Sequence, residues 1–143
     1  MAGLGLSAPS PQRTPYELLG GDAALRRLVE RFYALMDEDP DYYGIRKLHP
    51  ESLAGSTEKL TWFLSGWLGG PPLYAEKIGQ PMLRARHLPF AIGKAERDQW
   101  LACMKRALED CGIGTPQFRA WLLQQLFGTA DWMRNKPGDM PGA

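Results

Sequence analysis

Apolar residues recur along this chain at intervals of three, four and seven, the spacing of one face of an α-helix. Leu25, Leu28, Val29, Phe32 and Met36 form the first long stripe, closed by Asp39-Pro40-Asp41. Leu53, Leu60, Phe63, Leu64, Trp67 and Leu68 form another, stopped by Gly69-Gly70-Pro71-Pro72. Arg97, Trp100, Leu101, Met104, Leu108 and Cys111 make a further long stripe, ended by Gly112 and Gly114. Thr115-Pro116 restarts a helix that carries Phe118, Trp121, Leu122, Gln125 and Leu126 and runs to about Asn135. Shorter helices are predicted between these. Thr14-Pro15-Tyr16-Glu17 has a capping Thr, a Pro in the first turn and a Glu three past the cap, and Gly20-Gly21 breaks it. Tyr74 to Gly79 and Met82 to Leu88 read as single turns, the second cut by Pro89, and residues 41–52 read as a connector. The alternation of a β-strand appears nowhere, so the pattern predicts an all-α fold with four sizeable helices.

Length and composition leave that picture intact and narrow the function. At 143 residues the chain is one domain. A formal net charge of +1 argues against nucleic acid as the main partner. The sequence has no run of about 18 apolar residues, so no membrane span is expected. Residues 1–13 are rich in Gly, Ala, Ser and Pro and are expected to form a disordered tail, residues 14–136 the folded domain, and residues 137–143 a flexible end. The start lacks the basic and apolar runs of a secretion signal, which implies a cytoplasmic protein. Cys103 and Cys111 stand eight residues apart on one helix. That is about 12 Å of rise, too far for a disulfide, so both are expected to be reduced.

The segment from Gly69 to Gly93 is long and broken by Gly and Pro, and irregular stretches of this length are often functional. It holds His87, one of only two histidines, flanked by Arg84 and Arg86 and by the apolar Leu83, Leu88 and Phe90. A neutral imidazole among apolar side chains suits an axial haem ligand, and arginines pair with propionates. Taken alone the signal is weak, since a lone histidine is more commonly structural. Zinc would need three or four ligands at close spacing, which two histidines and two distant thiols do not supply. Gly-x-Ser-x-Gly, a phosphate-binding Gly-rich loop and His-Glu-x-x-His are all missing.

The order of motifs carries more. Phe32-Tyr33, Leu53-Ala54-Gly55, Trp67-Leu68-Gly69-Gly70-Pro71, Arg84-Ala85-Arg86-His87-Leu88-Pro89-Phe90 and Glu96-Arg97-Asp98-Gln99-Trp100-Leu101, in that sequence, resemble the group II truncated haemoglobins from Pro15 to Arg134. The resemblance implies a two-over-two helical sandwich enclosing haem b, iron protoporphyrin IX. His87 would be the proximal iron ligand, Tyr33 the distal tyrosine and Trp100 the distal tryptophan. Ser56 and Leu60 would line the distal face, and Phe63 would pack the haem edge. Lys59, Tyr74, Arg84 and Arg86 would be candidates for the propionates, with Leu83 and Phe90 beside the cofactor. Without that context Tyr33 and Trp100 read as core aromatics, Lys59 as a solvated lysine and Tyr74 as a half-buried one. Trp62, Trp67, Trp121 and Trp132 read as packing or surface aromatics.

His49 departs from the pattern, because the family usually has Tyr or Phe there. Three roles are open to it: a hydrogen-bond donor to ligand or to Tyr33, a packed or solvent-facing ring, or an iron ligand. The first is the expectation, and it implies that His49→Phe speeds dioxygen release. Tyr33, Trp100 and His49 together would hold dioxygen tightly. Slow release suits redox chemistry better than oxygen transport: dioxygen activation, nitric oxide dioxygenase chemistry, or peroxidase-like reduction of peroxide, fed by a reductase. Fluoride or hydrosulfide would suit the ferric pocket. A homodimer would fit relatives of this kind. A gas sensor or storage globin, and a haemless helical interaction module, are the other readings.

Overall fold

Thr14 opens the first helix as its sequence predicts. Its Oγ1 accepts from the Glu17 N–H at 3.2 Å, and Glu17 Oε1 accepts from the Thr14 N–H at 2.9 Å. This reciprocal cap satisfies two donors that a helix start otherwise leaves bare. A computed structural model describes residues 13–139, so the expected tail at 1–12 and residues 140–143 lie outside the described residues. The helices are α1 (Pro15–Leu19), α2 (Gly21–Glu38), α3 (Tyr43–Arg46), α4 (Ala54–Trp67), α5 (Leu73–Lys77), α6 (Leu83–His87), α7 (Lys94–Asp110) and α8 (Pro116–Trp132), with a 3-10 turn at Pro40–Tyr42. No strand occurs among the described residues.

The four long stripes became the four long helices, with two differences in between. The connector at 41–52 contains a turn and the short α3 rather than plain loop. α6 starts at Leu83 because Met82 is held in the left-handed region at φ 44°. Helix α2 packs on α4, α7 packs on α8, and α2 crosses to α7, two helices over two. Leu25, Leu28, Val29, Phe32 and Met36 of α2 meet Met104, Ala107 and Leu108 of α7 and Leu122 of α8 in one core. Full burial of such side chains stabilises the fold by about 1.5–3 kcal/mol each.

Polar groups in the helix interfaces are bonded locally. Thr61 Oγ1 donates to the Thr57 carbonyl at 2.8 Å, and Ser65 Oγ donates to the Pro71 carbonyl at 2.7 Å. The second bond folds the Gly-Pro turn back under α4. Gly70 is required there, since a Cβ would lie 2.5 Å from the Tyr16 ring. Cys103 and Cys111 are both free. Cys103 is buried, its Sγ is 3.3 Å from the Phe32 carbonyl, and burial pushes its thiol up to about 12. Trp121 and Trp132 are exposed, while Trp67 packs half-buried on the core. The chain past Pro137 is bonded to the fold as far as Asp139, whose carboxylate accepts from the Lys94 N–H at 2.6 Å.

Candidate functional site

His87 is the last residue of α6. Its Nδ1 lies 2.6 Å from the Leu83 carbonyl oxygen. A carbonyl only accepts, so Nδ1 carries the proton and the neutral ring keeps a bare lone pair on Nε2. That is the form in which imidazole binds a metal, with the other nitrogen fixed by a backbone carbonyl. The ring is half-buried, and the Leu88 and Phe90 that follow stay 56% and 42% exposed. Large apolar side chains left open close in sequence to a bare imidazole nitrogen are what a flat apolar cofactor would cover.

Helix α2 supplies Tyr33, which is buried beside Phe32 and whose phenol pKa burial raises well above its ordinary value. The Tyr33 ring stands edge-on to His49, centroids 5.6 Å apart and planes at 73°. Phe32 sits in the same way against Trp100 of α7 at 5.1 Å, so Tyr33, His49 and Trp100 cluster around one aromatic hinge. No partner for the Tyr33 hydroxyl occurs among the described residues, yet no fully buried side-chain polar atom is left unbonded. The phenol oxygen is therefore not fully sealed from accessible space.

The corner that carries His49 is fixed from two sides. Gln99 Oε1 accepts from the Ile45 N–H at 3.1 Å, and Arg46 donates to the carbonyls of Pro50 and Glu51 at 2.9 and 2.7 Å. A Cβ on Gly44 would lie 2.6 Å from Gln99 Oε1, so a side chain there would displace the Gln99 amide. His49 Nδ1 is 2.8 Å from the Ile45 carbonyl, so here too Nδ1 is the donor and Nε2 is bare. Burial lowers the His49 pKa; the bond to Ile45 opposes this, while the charges of Arg46 and His87 add to it. The two histidines are thus within electrostatic reach of one another. In this arrangement a neutral His49 has no proton on Nε2 and accepts there.

On α4, Ser56, Leu60 and Phe63 share one half-buried face, and Phe63 lies 6.4 Å from Trp67. Lys59 is exposed beside them, and Leu83 is half-buried on α6. Arg84 points elsewhere: it donates to the carbonyls of Trp132 and, at 3.0 Å, of Arg134, with its guanidinium 5.2 Å over the Trp132 ring. Arg86 donates to the Pro81 carbonyl at 2.8 Å and lies 5.6 Å over the buried Tyr74 ring. Both arginines expected at propionates are therefore engaged by protein groups. Sequence reasoning missed Gln99 and Asn135. Gly44, which leaves room for the Gln99 amide, is the one trace the first leaves. Asn135 leaves none, because its partners lie more than 40 residues earlier.

Two crossing helix pairs, with Tyr33, His49 and Trp100 gathered around Phe32, are the architecture of a globin of the two-over-two class. The chain belongs to the bacterial-like globin family, whose model matches residues 14–135. It is 41% identical over 122 residues to the group 2 truncated hemoglobin YjbI of Bacillus subtilis, covering 85% of this chain and 89% of that one. The group II 2-on-2 hemoglobin of Agrobacterium tumefaciens superposes with a TM-score of 0.85 at 44% identity, over 91% of this chain and all of that one. A truncated oxygen-avid haemoglobin from Bacillus subtilis superposes with a TM-score of 0.77 at 41% identity, over 86% and 100%. Membership of this family implies haem binding and small gas ligands. No helix among the described residues is long and apolar enough to cross a membrane.

Proposed function

We propose that the chain holds haem b through His87 Nε2 and retains a small ligand on the opposite side with Tyr33 and Trp100. The observation that carries this is the His87 Nδ1 bond to the Leu83 carbonyl, which leaves Nε2 bare beside exposed apolar side chains. Haem supplies an iron that binds dioxygen, nitric oxide and, when ferric, anions. The residues supply selectivity. Tyr33 keeps its proton at every physiological pH and donates from a buried position. The Trp100 indole is a donor only. A hydrogen bond to a charged group is worth about 1.5–3 kcal/mol, so two such donors slow release by orders of magnitude. The oxygen-avid relative supports the same direction. Long retention favours redox chemistry of dioxygen, nitric oxide or peroxide, with electrons from a reductase, over transport.

A second reading concerns His49. Its bare Nε2, on the tautomer that His87 also has, is equally able to bind iron. The absorption spectrum of the purified protein, ferric and then reduced, tests both. A strong Soret band with a five-coordinate ferrous form is expected. A six-coordinate low-spin ferrous form would shift the assignment to internal ligation. Failure to take up added hemin would overturn the haem reading.

A further inference from the structure

α6 fully buries none of its five residues, and Leu83, Arg84 and His87 are only half-buried, so packing alone holds His87 weakly. Hydrogen bonds from the far end of the chain brace it. Asn135 Nδ2 donates to the His87 carbonyl at 3.1 Å, and Asn135 Oδ1 accepts from the Ile92 N–H at 2.9 Å. The Asn135 N–H donates to the Ile92 carbonyl at 2.8 Å. One residue thereby spans both ends of the loop that follows His87. Arg84, on the same short helix, is bonded to the Trp132 and Arg134 carbonyls.

The segment that carries Asn135 is itself clamped. Buried Arg134 pairs with Asp131 and with Asp139, each at 2.7 Å. Asp139 accepts from the Lys94 N–H, and Lys136 pairs with Glu96 at 2.8 Å, both in the first turn of α7. Burial works to raise the Glu96 carboxyl, and the bonds from Lys136 and the Gly93 N–H outweigh it, leaving Glu96 below its ordinary range.

We infer that residues 132–139 form a strap that sets the position of the His87 helix, with Asn135 as the positioning residue acting through the His87 carbonyl. The inference rests on the reading of His87 as the iron ligand. An unburied helix held by a few bonds responds directly to their loss, so the strap controls how firmly His87 Nε2 is presented.

Three readouts on Asn135→Ala test this: haem transfer from the ferric holoprotein to an excess of apomyoglobin, the iron–histidine stretching band of the ferrous protein, and amide exchange of the apoprotein. Transfer is expected to be about tenfold faster, the band to shift, and exchange at Leu88 to Ile92 to quicken while α2 and α7 stay protected. Asn135→Asp keeps the acceptor for Ile92 and loses the donor to His87, so the band should shift with Ile92 exchange near wild type. Where Asn135→Ala fails to fold, Asp139→Ala loosens the clamp and should give the same signature more weakly. Wild-type transfer with an unshifted band overturns the strap, and so does exchange that rises evenly through α2 and α7. Wild-type protein that takes up no hemin overturns the haem assignment instead, and the apoprotein exchange pattern then decides the strap alone.

Discussion

His87 and His49 are built by one local device and placed in opposite surroundings. Each ring donates from Nδ1 to the carbonyl four residues earlier, at 2.6 Å for His87 and 2.8 Å for His49. Each therefore presents a bare Nε2. His87 sits at the end of a helix with no buried residue, braced by hydrogen bonds from the end of the chain. His49 sits at a corner locked by Gln99 and Arg46, with Tyr33 edge-on against it. The tautomer is a property of the backbone turn, whereas the role is a property of what surrounds the ring. On the function proposed above, an exposed helix with an apolar rim yields a ligand that a cofactor would complete. A desolvated corner yields an acceptor whose charged form is disfavoured.

The largest break in this comparison is His87→Gly. Removing the ring should abolish the five-coordinate spectrum of the hemin-reconstituted protein, and free imidazole should restore it by filling the gap. A variant that keeps the wild-type ferrous spectrum without imidazole would show that His49, or another residue, is the iron ligand. The equivalent cut on the other side is Gln99→Ala, which leaves the Ile45 N–H without its acceptor. A buried donor left unpaired costs about 1–3 kcal/mol, so urea unfolding of the apoprotein should show a loss of that size. Unchanged stability would mean that the corner is held by Arg46 and packing alone.

The four long helices were legible because amphipathic spacing and punctuation agree: Asp39-Pro40 and Gly69 to Pro72 stop a helix, and Thr115 caps one. His87, Tyr33 and Trp100 were legible as candidates through motif order. Two things were not. Arg84 and Arg86 flank His87 in sequence, yet a short helix points neighbouring side chains in different directions, and both arginines turn to backbone carbonyls instead. The tautomer of His49 was equally hidden, since it depends on the turn that brings the Ile45 carbonyl under the ring. The bonds of Asp139 to Lys94 and Arg134 were also hidden, since these partners give no local pattern.

The smallest and most discriminating prediction concerns His49→Phe. If His49 donated to ligand, this variant would release dioxygen faster by an order of magnitude or more. Neutral His49 has no proton on Nε2, so release above pH 7 should stay within about threefold of wild type, given the ordinary value of a hydrogen bond. The pH dependence of apoprotein stability should change instead. Burial holds the folded pKa of His49 below its ordinary 6.5. The unfolded chain therefore binds the proton first, and this group's contribution is fully present above pH 6.5 and lost as the pH falls through the folded pKa. The slope for one such proton cannot exceed about 1.4 kcal/mol per pH unit, and partial exposure reduces it. Arg46 and His87 are the charged groups that act on His49, and Tyr33 beside it stays neutral throughout. Asp39, Asp131 and Asp139 are all held below their ordinary range, so their losses come at lower pH than that of His49. Urea unfolding between pH 7.5 and about 5.5 should thus show wild type weakening more steeply than His49→Phe. Parallel curves, together with a large jump in dioxygen release, would return the donor role to His49 and require its ring to turn away from the Ile45 carbonyl when ligand is bound.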